Sequence, residues 1–216
     1  MKKYFPLNPG LLAEGRTNHR FLSGIIVRAI HQIAGNLRQN IEVSDVVMIP
    51  KKQGGFVEQV VNAAKYCCES GINVLFVHTA ADAAADDIVR KNKLNPAFAK
   101  LESADGAQYC KTMVPVVPVQ AIEAWMLADP QALVRWVGAE VEVHKNPESL
   151  SDPKGWIGKA IEQAQASKVR RGRKCGIEEL YQPLGTDSGL DLLRKLPSYR
   201  RFEDEIKAAF DTLGLK

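Results

Sequence analysis

Between residues 11 and 93, short apolar runs of strand length alternate three times with longer stretches of helical period. Leu11–Ala13 ends at Glu14-Gly15, and Thr17 then caps a predicted helix running to about Asn36, with Phe21, Leu22, Ile25, Ile26, Ala29, Ile30 and Ile33 at helical spacing. Val43–Ile49 predicts a second strand and Pro50–Gly55 a turn. Phe56–Glu69 predicts a helix carrying Val57, Val60, Val61 and Ala64 and closed by Gly71. Ile72–Val77 predicts a buried strand, followed by a loop with His78, Thr79 and Asp82 and a helix from about Ala83 to Lys93. A fourth strand, Val114–Val119, contains Pro115 and Pro118, which predicts an edge or irregular strand, and it leads into a helical segment at Ala121–Ala128.

Strands that alternate with amphipathic helices predict an α/β fold: a mostly parallel, Rossmann-like sheet of about four strands with helices on both faces. Right-handed crossovers then set the carboxyl ends of the strands along one edge of the sheet, where open sheets of this kind carry their sites. After Asp129-Pro130 the character changes. Ala132–Val137, Lys154–Ala166, Ile177–Tyr181, Leu190–Leu196 and Arg201–Leu213 all read as helical, joined by connectors holding Pro147, Pro153, Pro183 and Pro197. No flexible linker intervenes, so residues 131–216 are expected as a helical extension packed on a core of residues 1–130.

The 216 residues suffice for a sizeable core without covalent staples. The net charge of +4 is too mild to identify a polyanionic partner, so the distribution of charge matters more than its sum. Cys67, Cys68, Cys110 and Cys175 contain no C-x-x-C pair, which argues against a disulfide framework or zinc site and for a reducing compartment. The start, MKKYFPLNPG, lacks the apolar centre of a signal peptide, and no apolar run reaches the ~18 residues of a membrane span. A cytoplasmic protein without a membrane partner is expected.

Glu14 closes the first apolar run, Asp82 follows the third, and Glu123 and Asp129 follow the fourth. Four carboxylates converging at strand ends would form an oxygen cage suited to Mg2+ or Mn2+, able to activate water and neutralise charge on a phosphodiester. Each has a structural alternative: Glu14 as a turn residue, Asp82 as a helix cap, Glu123 and Asp129 as residues that end one helix and cap the next. His78 either touches a metal or phosphate or simply ends its strand, held by backbone. The run Lys168-Val-Arg170-Arg171-Gly-Arg173-Lys174 is either a phosphate-neutralising patch or a solvated face, and Arg194, Lys195, Arg200 and Arg201 add charge later. No aromatic residue interleaves with the run, so base stacking there is not suggested. Neither a G-x-S-x-G elbow nor a G-x-G-x-x-G or P-loop pattern occurs.

The stretch Leu-Leu-Ala-Glu14-Gly-Arg-Thr-Asn-His-Arg-Phe-Leu22 resembles the first motif of Toprim domains, and Val74-Leu-Phe-Val-His-Thr-Ala-Ala-Asp82 resembles the second, a strand ending in Asp-x-Asp. Val116-Val-Pro-Val-Gln-Ala-Ile-Glu-Ala-Trp-Met-Leu-Ala-Asp129 is similar to a further signature, that of a prokaryotic Toprim-like family of uncharacterised function often found near defence islands. Asp152-Pro-Lys154, Leu180-Tyr-Gln-Pro-Leu-Gly185 and Leu196-Pro-Ser-Tyr-Arg-Arg-Phe202 extend the resemblance over nearly the whole chain. It implies a Toprim-like nuclease using Mg2+ (or Mn2+) on DNA or RNA. Glu14 would be the acid–base or metal-bridging residue, Asp82 a metal ligand and Glu123 a carboxylate bordering the site, with Lys168, Arg170, Arg171, Arg173 and Lys174 on the nucleic-acid backbone. One departure stands out: Ala80 occupies the place of the first aspartate of Asp-x-Asp.

Three readings follow. The first is the metal-dependent nuclease. The second, motivated by Ala80, is a non-catalytic nucleic-acid-binding or regulatory subunit that partners an ATPase; self-association is open in either. The third is a receiver-like or phosphatase-like acidic pocket, and it lacks a strand-end aspartate with a lysine opposite.

Overall fold

The computed structural model describes residues 4–104, 106–138, 140–142, 144–166 and 176–216. Its strands are β1 (Tyr4–Leu7), β2 (Pro9–Leu12), β3 (Asn40–Val43), β4 (Val47–Met48), β5 (Val74–His78) and β6 (Met113–Val116). The helices are α1 (Arg16–Ala34), α2 (Phe56–Glu69), α3 (Asp87–Val89), α4 (Asn95–Glu102), α5 (Ile122–Met126), α6 (Pro130–Val137), α7 (Pro153–Ala166), α8 (Ile177–Asp187), α9 (Leu190–Leu193) and α10 (Pro197–Thr212). A π-helical turn, Arg90–Leu94, joins α3 to α4.

All strand pairs are parallel. The main sheet runs β4-β2-β5-β6, and β1 pairs with β3 beside it. The α/β class, the parallel sheet and the C-terminal helices are therefore as the alternating pattern predicts. Successive residues of β5 serve opposite faces, as the period of two requires. Val74 and Phe76 join the core beneath α1, α8 and α10, whereas Leu75 and Val77 join the core beneath α2 and α4. With both faces covered, every residue of β5 is buried. β6 lies at the sheet edge, where its Pro115 leaves no donor wanting a partner.

The first two strand regions each divide in two, which the sequence does not announce. Asn73 Oδ1 accepts from Asn8 N at 2.8 Å, and Asn73 Nδ2 donates to Pro6 O at 2.7 Å. This clamp interrupts the N-terminal segment at Asn8 and adds β1, which the apolar pattern alone does not mark. The segment expected as one strand, Val43–Ile49, breaks correspondingly into β3 and β4 around Ser44–Val46. The helix expected from Ala83 begins only at Asp87, because Asp82 and Ala83 are tied to Gln120: Asp82 N donates to Gln120 O at 3.1 Å and Gln120 N to Ala83 O at 3.0 Å. Asp82 is thus no helix cap. α8 runs on through Pro183 to Asp187, where the sequence suggests a connector.

That extra turn of α8 is fixed by packing. A Cβ at Gly24 of α1 would lie 2.6 Å from Gly185 O, and one at Gly185 would overlap Phe21 O. The two helices therefore cross backbone to backbone, and Gly185→Ala must push them apart. Overpacking of this kind costs about 3 kcal/mol, which lowers the melting temperature by roughly 10 °C. Gly158→Ala is the control: its Cβ meets nothing within 4 Å on α7, so helix propensity should make it neutral or stabilising in the same thermal melt.

Among the described residues no helix is long and apolar enough to cross a membrane.

Candidate active site

Strand order puts one crevice above all others. The chain leaves β2 through α1 on one face of the sheet, and leaves β5 through α3 and α4 on the other. Adjacent parallel strands whose connections part to opposite faces open a gap at their carboxyl ends. Leu12 of β2 is in register with Val77 of β5, so the residues just beyond meet across that gap. There the Thr79 hydroxyl donates to Glu14 Oε1 at 3.1 Å, and Lys51, just past β4, donates from Nζ to Glu14 O at 3.0 Å. Glu14 itself is exposed and Thr79 is fully buried. The mouth thus holds a carboxylate steadied by a hydroxyl, with an ammonium beside it.

His78 lies directly behind, 2% exposed, with both ring nitrogens lacking a hydrogen-bond partner among the described residues. Burial, reinforced by the Lys51 ammonium, pushes its pKa down to about 3 and keeps the imidazole neutral. The sequence alternative of a backbone-held histidine is not what the structure shows.

Asp82 is exposed and sits three residues beyond Thr79 in a left-handed conformation, φ 51°; Gln120, its backbone partner, has φ 60°. These are the two non-glycine residues of positive φ among those described. Strain of this sort costs on the order of 1–3 kcal/mol per residue and concentrates at working sites. Ala80, between Thr79 and the strained corner, is 7% exposed.

The remaining carboxylates are engaged elsewhere. Glu123, 6% exposed, accepts from the Tyr181 hydroxyl and joins α5 to α8. Burial and this carboxylate push the Tyr181 phenol above its ordinary pKa. Asp129 accepts from Ala132 N at 3.0 Å as the cap of α6 and from Gly189 N at 2.9 Å. Asp86 takes Arg90 Nε and Arg201, each at 2.5 Å, and Arg90 continues to Glu205 at 2.8 Å. Burial alone would raise the Asp86 carboxyl, but the two arginines outweigh it and hold it below the ordinary value. Among the described residues no three of His, Cys, Asp and Glu form a group that could hold a metal ion. The cage of four converging carboxylates expected from the sequence is not assembled.

Of the expected ligands, Glu14 stands at the mouth and Asp82 on the exposed loop beyond Thr79. Mg2+ commonly takes one or two protein carboxylates and keeps its waters, so an exposed carboxylate such as Glu14 would suit a hydrated ion rather than a fully enclosed one. Sequence reasoning missed Lys51 and Thr79. The signal for both was position at the carboxyl edge, since Thr79 directly follows β5 and Lys51 lies three residues past the end of β4. The basic residues Lys168, Arg170, Arg171, Arg173 and Lys174 lie outside the described residues, between α7 and α8.

In comparisons with known proteins, no family model, no curated protein and no solved structure matches this chain.

Proposed function

We propose that the protein is a Toprim-like, metal-assisted phosphodiester-processing domain acting on nucleic acid, DNA or RNA, with its centre at the gap between β2 and β5. The observation that carries this reading is the Thr79–Glu14 hydrogen bond across the topological switch point. Thr79 fixes Oε1 of Glu14 and leaves Oε2 to take a proton or to bind a cation shared with Asp82. Lys51 adds positive charge where a phosphate would approach. A bound Mg2+ or Mn2+ would supply Lewis-acid stabilisation of charge on the phosphoryl group. His78, held neutral, adds no charge to compete with the cation. Ala80 withholds one carboxylate from the Asp-x-Asp pattern, which weakens the ion and lowers the activity of this chain.

The absence of a three-acid group among the described residues favours a second reading, a nucleic-acid-docking or regulatory subunit, with an ATPase as its partner, that works without the metal.

Thermal melting under Mg2+ and Mn2+ titration separates the two. Ligand present at about a hundred times its Kd stabilises the native state by about 2.7 kcal/mol. The nuclease reading expects such a rise in wild-type protein, a rise at tenfold or lower ion concentration in Ala80→Asp, and none in Glu14→Ala. Ala80→Asp should also show Mg2+-dependent cleavage of a labelled oligonucleotide that Glu14→Ala reduces by about a hundredfold or more, the scale of a lost acid–base group. If neither wild type nor Ala80→Asp responds to either ion, the metal reading fails and the docking reading stands.

A further inference from the structure

Beyond the ends of β5 and β6 lies a cavity of about 450 Å³, between the loop after β5, the loop after β6 and the N-terminal turn of α10. Its volume is within the ~300–1,000 Å³ range of ligand pockets. It shares the loop of residues 82–86 with the Glu14–Asp82 centre. Ala84 and Val119 give it apolar walls, while Asp86, Glu148, Ser198 and Arg201 bring polar groups to it. This composition suits a flat heteroaromatic ring with a polar edge.

The polar groups are set in place before any ligand arrives. Glu148 is 7% exposed and accepts at Oε1 from both the amide and the hydroxyl of Ser198, which leaves Oε2 free of Ser198. The Ser198 hydroxyl in turn accepts from Trp125 Nε1 at 2.7 Å. Burial raises the Glu148 carboxyl above its ordinary pKa, against the opposing Ser198 bonds and Arg200, with Asp86 raising it further. Its Oε2, free of Ser198, is placed to accept from an amino or imino N–H on the edge of a nucleobase. Arg201 gives one nitrogen to Asp86 and remains 48% exposed at its side chain, so most of its five N–H donors are open to a phosphate. Asp86, locked by Arg90 as well, holds that guanidinium in position.

We propose that this cavity is a nucleotide subsite: it takes one unstacked nucleotide of a single-stranded nucleic acid, base edge toward Glu148 and phosphate against Arg201. The proposal rests on the reading of the β2–β5 gap as a nucleic-acid centre and names its substrate class. A paired base cannot leave its stack without an unpairing cost, whereas a single strand presents its bases freely.

The test is fluorescence anisotropy of one labelled sequence as single-stranded DNA, single-stranded RNA and duplex, in EDTA so that metal plays no part. The expected result is that wild type binds a single strand at least about tenfold tighter than duplex, and that Val119→Trp, which fills the cavity, removes that preference. Ala84→Trp, at an exposed rim position, gives a second blockade should Val119→Trp fail to fold. Gly158→Ala, on α7 away from the cavity lining, should leave the preference intact. Equal affinity for single strand and duplex, or a full preference surviving in a folded cavity-filling variant, overturns the subsite. The Mg2+ melting shift reports on the catalytic reading separately, since it is read on wild type, Ala80→Asp and Glu14→Ala, in which the cavity is not filled.

Discussion

Trp125→Ala should lower the melting temperature by roughly 8–16 °C, the shift expected when a chain of this length loses about 4 kcal/mol. Trp125 is fully buried on α5, and its ring packs edge-on to Tyr199 at 5.2 Å and against Phe202 at 5.6 Å, both on α10. Phe202 reaches Phe76 of β5 at 6.2 Å, so one aromatic chain links the sheet to the last helix. Aromatic pairs of this kind contribute about 0.5–1.5 kcal/mol each beyond the area they bury. The truncation also strips Ser198 of the indole donor. Trp125→Phe keeps one aromatic ring against Tyr199 and Phe202 but loses the indole donor and the volume of the second ring, so it should fall between wild type and Trp125→Ala. Calorimetry of the three proteins checks the ordering, and equal melting temperatures for the two variants would show that the ring contacts contribute nothing.

Acid should weaken the fold through His78. Its folded pKa, about 3, lies below the unfolded value of 6.5, so the unfolded chain binds the proton first. The stability tied to the neutral imidazole is complete above pH 6.5 and is lost as pH falls toward 3. At about pH 5 the loss is roughly 2 kcal/mol, at about 1.4 kcal/mol per pH unit. His78→Leu removes both the titration and two buried nitrogens without partners, a change that is nearly neutral or stabilising at neutral pH. Denaturant midpoints from about pH 7 down to about pH 4 should fall steeply for wild type and much less for the variant. Parallel curves would place the acid sensitivity elsewhere, and Asp86 would not account for it over this range. Its lowered carboxyl loses its contribution only as pH drops below the ordinary aspartate value of 3.8.

The parts of the fold legible in the sequence are those set by short-range periodicity. The helix Phe56–Glu69 has the limits read from its apolar spacing, and the edge position of β6 agrees with its Pro115. Glu14 could be placed at a strand mouth because Gly15 ends the apolar run. What escaped depends on partners far along the chain. Asn8 and Asn73 are 65 residues apart, and neither alone signals the break that makes β1. Glu123 looks like a free carboxylate at a strand end until Tyr181, 58 residues on, occupies it. Asp86 is diverted in the same way by Arg201, at a separation of 115. A carboxylate's role depends on who donates to it, and a sequence pattern shows spacing rather than donors.

The paired left-handed corners at Asp82 and Gln120 have a dynamic consequence. Each corner's amide is spent on the other's loop, so neither loop can lift away while its counterpart stays closed. Hydrogen–deuterium exchange at these two amides would then report a single opening event, with one protection factor common to both. Access to the Glu14 mouth and to the cavity beside it would be governed by the same latch.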